Sequence, residues 1–244
     1  MPEGPTIRLL AEETQQFVGK KVISATTLTD DLDLSRFEGQ KIREIKSYGK
    51  QLLIVFDDFA VRIHLMLFGY YEINDNFPKG KLRLGLRFKN SELNFYAADV
   101  RFIEEPINDL YDWRLDVLSP DFDKQLAVDK LNSLDKEFIC DALLDQSIFA
   151  GVGNIIKNDM LFKAKVHPLS KSTDVPDAKK LELAEEAVIV SVDFLEWKRS
   201  KAKKNKFVAH YKKICPRDKV PFKKLKVGRG KRVCYFCELC QVKY

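Results

Sequence analysis

The 244-residue chain is 45% hydrophobic and 32% charged, ordinary values for a globular protein with enough length to bury a substantial core. No apolar run approaches the roughly 18 residues of a membrane-spanning helix, and no charged-then-apolar leader precedes the first helix, so a cytoplasmic location is expected. The net charge of +6 is unevenly spread: residues 198–232 hold 16 Lys/Arg against Asp218 alone, a net of +15, while the remainder nets −9.

The chain opens MPEGP. Pro5 suits a first helical turn, and Glu3 favours the positive end of that helix. The same letters carry a chemical reading. A small second residue permits removal of the initiator methionine, leaving Pro2 as a free secondary amine. Such an amine attacks an aldehyde carbon to form an iminium, with Glu3 beside it to shuttle protons. Residues 5–18 form the expected helix: Ile7, Leu10, Ala11, Thr14, Phe17 and Val18 share one face, and Gly19 stops it.

From Val22 to about Glu105 the period changes to two. KKVISATTL, QKIREIKSYGKQLLIVFD, FAVRIHLMLFGYYEI, KLRLGLRFKN and ELNFYAADVRFIEE are successive strand candidates, separated by the turn signals EGQ, DDF, NDNFPKG and KNSE. An antiparallel sandwich is expected. Lys50 falls at a strand start after Gly49, a place where most lysines are solvated edge charges.

Beyond Pro120 the pattern turns helical in DKQLAVDKLNSL, EFICDALLDQ, NIIKNDMLFKA and PDAKKLELAEEAVIVSVDFLEW, the last with Asp177 or Thr173 as a candidate cap. Between two of these helices lies Gly151-Val152-Gly153-Asn154. A glycine turn leading into a helix start can hold a phosphate, and Asn154 can cap the helix or donate to a phosphate oxygen. Tight packing of two helices uses such a turn as well.

The basic segment contains Phe207, Tyr211 and Phe222 and runs into cysteines, so it reads as a folded phosphate-binding module. Four of the five cysteines fall in the last thirty residues, which favours a metal site over disulfides. Cys237 and Cys240 form a C-x-x-C knuckle. Cys215 lies upstream, with Asp218 where a second knuckle cysteine belongs. Two knuckles on a β-hairpin make a zinc ribbon. The fourth ligand is Asp218 or Cys234, with His210 also near in sequence; a buried cysteine cluster without an ion is the bland alternative.

These pieces, in this order, resemble the formamidopyrimidine-DNA glycosylase / endonuclease VIII family over nearly the whole chain. PEGP is closer to the endonuclease VIII branch. GKQL around Lys50 is similar to the family's lysine motif, residues 143–168 look like its helix–two-turn–helix signature, and RVCYFCELCQ resembles the end of its zinc finger. The resemblance implies an α+β multidomain fold: a catalytic domain of helix plus antiparallel β-sandwich (1–115), a helix–two-turn–helix domain (116–204) and a zinc-finger-like β-hairpin module (205–244).

It also implies a bifunctional DNA glycosylase and AP lyase of base-excision repair, acting as a monomer on double-stranded DNA with damaged bases or abasic sites, and nucleoid-associated in a bacterium. Pro2 is then the nucleophile and Glu3 the general acid/base. Lys50, Asn154 and Arg232 hold phosphates. Met66, Leu67 and Phe68 fill the gap left by a flipped base, unless that segment is a strand entering the core. Arg101 contacts the orphaned opposite base. Oxidised pyrimidines are the expected substrates, with oxidised purines such as 8-oxoguanine, or non-catalytic damage binding, as alternatives. Thr6, Asp218 and Cys234 depart from the family pattern, which usually has Glu, Cys and Thr there.

Overall fold

A computed structural model of the chain describes residues 2–29, 31–74, 81–134, 137–202 and 206–244. All of the NDNFPKG turn beyond Asn74, and residues 203–205 of the basic stretch, lie outside the described residues. Two compact units divide after Asp112. Among the described residues no helix is long and apolar enough to cross a membrane.

The first unit begins with α1 (Gly4–Thr14). Ile7, Leu10, Ala11 and Thr14 lie on its buried face, the spacing of one helical stripe. The helix is shorter than its apolar pattern. Thr14 Oγ1 bonds back to the Leu10 carbonyl at 2.7 Å, and Gln15–Phe17 tighten into a 3-10 turn before Gly19 at φ +81.

Eight strands follow: β1 (Ser24–Thr26), β2 (Glu44–Tyr48), β3 (Gln51–Val55), β4 (Ala60–His64), β5 (Tyr70–Ile73), β6 (Leu82–Phe88), β7 (Ser91–Tyr96) and β8 (Asp99–Ile103). They form two antiparallel four-stranded sheets, ordered β1-β6-β7-β5 and β2-β3-β4-β8. Leu52, Ile54, Val61 and Ile63 of one sheet share a core with Leu84, Leu86, Leu93 and Phe95 of the other, and α1 contributes Ile7 and Leu10. Each such side chain, fully buried, contributes roughly 1.5–3 kcal/mol. α1 packs on β2 and β3, so the start of the chain is held by the core rather than left to fray. α2 (Ile107–Leu110) closes the unit.

The second unit contains α3 (Lys124–Asn132), α4 (Ile139–Ala142), α5 (Asn154–Lys163), α6 (Asp177–Arg199) and the hairpin β9 (Lys223–Val227) and β10 (Arg232–Phe236). Asp123 caps α3 by accepting the Leu126 amide at 3.0 Å. Neither candidate caps α6. Pro176 occupies that position; Asp177 enters the first turn, where its carboxylate faces Lys180, and the Thr173 hydroxyl donates to Asp174. A proline fits there because its fixed φ suits helix entry. α5 and α3 pack on α6, and β10 packs on α5. Cys234 and Phe236 of β10 sit in the same core as Ile156, Met160 and Phe194. The C-terminal hairpin therefore shares its hydrophobic core with the helices. The whole is the expected α+β arrangement of helix plus sandwich, helical domain and terminal hairpin.

Candidate nucleic-acid interface and metal centre

In the first unit, Pro2 is half-buried and Glu3 is only 1% exposed. Glu3 holds the N-cap position of α1 in extended backbone, and its carbonyl accepts the Thr6 amide at 2.8 Å. Its side chain thus sits at the positive end of a helix dipole. Lys50 occupies the two-residue turn joining β2 to β3, where Gly49 has φ +53. The flanking residues brace that turn. Tyr48 packs on Tyr111 with ring centroids 4.7 Å apart, and Tyr111 Oη donates to Gln51 Oε1 at 2.9 Å.

The 64–69 loop turns away from the core. Leu65 is buried, but Met66, Leu67 and Phe68 are 50%, 51% and 81% exposed. They do not form a strand entering the core. Met66 takes φ +47, and its amide donates to His64 Nδ1 at 3.3 Å. The Gly69 amide donates to the Leu65 carbonyl at 2.7 Å. A Cβ at Gly69 would lie 2.3 Å from that same oxygen, so only glycine closes this loop. Burial, with the charges of Arg62 and Lys50 nearby, pushes the His64 imidazole below its ordinary value. Asp99, opposite His64 in the β4–β8 register, pairs with Arg62 at 2.5 Å and with the largely exposed Arg101 at 3.1 Å.

In the second unit the glycine turn is tied from behind. Gly151, at φ +104, donates to Gln146 Oε1 at 3.0 Å, and Gln146 Nε2 donates to the Leu144 and Val152 carbonyls. Gly153, in extended backbone, takes the N-cap position of α5, so Asn154 is not a cap. The Asn154 side chain reaches sideways to β10, where its Nδ2 donates to the Val233 carbonyl at 3.1 Å. Arg232, the residue before Val233, opens β10 opposite Val227. Asn154 is thereby tied to β10 one residue beyond Arg232. The turn ahead of Arg232 is anchored too: Asp141 accepts the Arg229 amide at 2.8 Å, and Gly228 lies against that carboxylate.

The residues that sequence reasoning missed are the polar groups under this surface. Lys157 and Asn158 are fully buried, and the Asp159 carboxylate accepts the amides of Val208, Ala209 and His210 at 2.8–3.0 Å. Burial nonetheless raises the Asp159 carboxyl above its ordinary value. Asn154, Lys157 and Asn158 stand at i, i+3 and i+4, a spacing that reads as a solvated helix face, so the sequence carried no signal of their burial.

Cys215, Asp218, Cys237 and Cys240 bring one donor atom each within 4.8 Å of one another. Cys215 and Cys240 sulfurs are 3.9 Å apart. Two sulfurs on a tetrahedral zinc with bonds of about 2.3 Å stand roughly 3.8 Å apart, so the spacing fits a metal. Thiol hydrogen bonds from Cys240 and Cys237 hold the Asp218 carboxyl below its usual range, and burial raises the Cys237 thiol. Cys234 is not part of this group. On the β10 strand it points into the helical core, against Lys157 at 3.1 Å and Cys140. His210 is also elsewhere, with Nδ1 3.3 Å from Asn158 Nδ2.

The comparisons with known proteins agree with this geometry. Residues 1–103 match the formamidopyrimidine-DNA glycosylase N-terminal domain and residues 114–202 its H2TH domain. The chain belongs to the formamidopyrimidine-DNA glycosylase / endonuclease VIII family. It is 28% identical to endonuclease 8-like 3 of Mus musculus over 216 residues, 85% of this chain and 36% of that protein. It is 29% identical to formamidopyrimidine-DNA glycosylase of Oceanobacillus iheyensis over 209 residues, 75% of this chain and 73% of that one. Both branches thus match at similar identity, and the chain spans about a third of the length of the endonuclease 8-like 3 relatives. The fold superposes with a TM-score of 0.84 on Lactococcus lactis formamidopyrimidine-DNA glycosylase bound non-covalently to DNA containing an AP site. That match has 23% identity and covers 99% of this chain and 100% of the other.

Proposed function

We propose that the chain is a bifunctional DNA glycosylase and AP lyase that removes oxidised bases, pyrimidines above all, from double-stranded DNA. The observation that carries this reading is the start of α1, where the potential amine of Pro2 adjoins a carboxylate buried at a helix N-terminus. A binding module has no use for that pair.

The chemistry follows from the groups. With Met1 removed, the Pro2 nitrogen attacks C1′ of a flipped nucleotide. The glycosidic bond breaks with its electron pair on the base, which takes up a proton. The nitrogen gives up its own proton to a base, the role assigned to Glu3, and its freed pair forms the iminium as the C1′–O4′ bond breaks with its pair on O4′, which takes up a proton. The iminium acidifies the C2′ hydrogens, so loss of one expels the 3′ phosphate; the conjugated product then acidifies the C4′ hydrogen, and its loss expels the 5′ phosphate.

Lys50, Asn154 and Arg232 supply donors for phosphates, and the exposed Lys223, Lys224 and Lys226 of β9 supply long-range attraction. Met66, Leu67 and Phe68 act as the wedge that replaces the flipped base, and Arg101 meets the opposite base. Cys215, Asp218, Cys237 and Cys240 would hold a structural zinc, which fixes the hairpin and takes no part in the reaction.

The test is strand cleavage of duplexes carrying one thymine glycol or one 8-oxoguanine. Cleavage of the first, lost in Glu3→Gln, is expected. Preference for 8-oxoguanine would overturn the pyrimidine assignment. Cleavage of neither, with binding intact, would overturn the enzymatic one.

A further inference from the structure

Lys157 is 0% exposed, one helical turn after Asn154 on α5. Burying an amine is costly unless polar partners receive it. A methionine would fill the same space at no such cost, so this lysine calls for a reason. Its Nζ donates to Asn154 Oδ1 at 2.8 Å and to Cys234 Sγ at 3.1 Å.

We propose that Lys157 is a positioning residue for the phosphate-binding groups around Asn154 and Arg232. The proposal rests on the nucleic-acid reading above. Lysine can only donate, so it forces the Asn154 carbonyl oxygen inward. The Val233 carbonyl can only accept, so it fixes the NH2 end. Both ends of the amide are specified, and Asn154 cannot swing its acceptor oxygen toward a phosphate, where it would repel. A neutral apolar residue at 157 would leave that rotation open.

The second contact extends the grip to Arg232. Lys157 holds Cys234, while Asn158 donates to the Val233 carbonyl at 3.2 Å and accepts the Tyr235 amide at 2.8 Å. Side chains from a single helix turn therefore hold consecutive β10 residues immediately after Arg232. Cys234 suits its part as an acceptor. The Cys140 thiol hydrogen-bonds to it, and the charge of Lys157 adds to that effect, lowering the Cys234 thiol to about 7 against the opposing effect of burial.

The experiment is a double-mutant cycle on the full chain. Lys157→Met, Asn154→Ala and the double variant are compared with the parent for binding to a duplex with one tetrahydrofuran abasic analogue. Fluorescence anisotropy is read well below each protein's unfolding midpoint. Lys157→Met should weaken binding about tenfold in the parent and about threefold in the Asn154→Ala background, where only its hold on Cys234 beside Arg232 is left to lose. Equal losses in both backgrounds would mean a general structural role and overturn the proposal. So would no loss from Lys157→Met when Asn154→Ala itself binds weakly. Should Lys157→Met fail to fold, Lys157→Gln is read instead; its NH2 can still donate to Asn154 Oδ1, so binding should stay within about threefold of the parent, and a tenfold loss would overturn the proposal. If Asn154→Ala binds as the parent does, the phosphate role of Asn154 fails, and the proposal that Lys157 positions it is overturned.

Discussion

The Asp218 carboxylate lies 3.2 Å from the Cys237 sulfur. Carboxylate and thiolate repel at that distance, so the pair is stable when the thiol keeps its proton or when a cation holds both. The cation reading makes a prediction. Purified protein should carry about one zinc ion per chain. Chelation should lower the thermal midpoint, and zinc should restore it. Asp218→Cys should retain zinc against a chelator longer than the parent, because thiolate is the softer ligand. Asp218→Ala should lose it. Elemental analysis after dialysis reads all of these, and a zinc-free parent with an unchanged midpoint on chelation contradicts them.

Gly228 has two reasons to be glycine. Its φ is +75, and a Cβ there would stand 2.2 Å from an Asp141 carboxylate oxygen. Gly228→Ala should cost about 1–3 kcal/mol in chemical denaturation. In an Asp141→Ala background the clash is gone, and the cost should shrink to the backbone term of about 1 kcal/mol. Additive costs would show that the carboxylate does not press on this turn.

His210 should make the protein acid-labile. Burial, aided by the charge of Lys157, pushes its imidazole from 6.5 to about 4. Above 6.5 neither folded nor unfolded chain binds the proton, and stability is complete. As pH falls from 6.5 toward 4, the unfolded chain takes up a proton that the folded one refuses, and stability is lost. Urea midpoints across that range should fall in the parent and fall less in His210→Asn. Parallel profiles would contradict the assignment.

Phe68 is the most exposed large apolar side chain in the described residues. Phe68→Ala should leave folding stability within about 0.5 kcal/mol. It should weaken binding to an abasic-site duplex by about 1–3 kcal/mol, while an undamaged duplex is bound nearly as before. Equal loss on both duplexes would assign Phe68 to general DNA contact.

Much of this was legible in the sequence because it rests on short-range rules. Period-two alternation announced the strands, the glycine turn announced the start of α5, and the C-x-x-C knuckle announced the cluster of Cys215, Asp218, Cys237 and Cys240. The apolar letters of HLMLFG did not settle whether the segment entered the core. Its direction depends on Gly69 closing onto the Leu65 carbonyl, a contact between backbones. Asn154 read as a cap or phosphate ligand because local rules see only the helix start; they do not show its bond to the Val233 carbonyl, 79 residues away. Cys234 sat among cysteines in the sequence, yet strand geometry turns it toward Cys140 and Lys157 instead. Buried polar networks of this kind are set by packing between distant segments, which no local pattern records.

The central claim is that Pro2 is a nucleophile. Sodium borohydride trapping on a duplex with one abasic site, using protein whose amino terminus has been verified as Pro2, tests it directly. The account predicts a covalent adduct that peptide mapping places on Pro2 and that blocking the amino terminus abolishes. Protein that binds the abasic duplex but yields no adduct, or an adduct on a lysine, would contradict it.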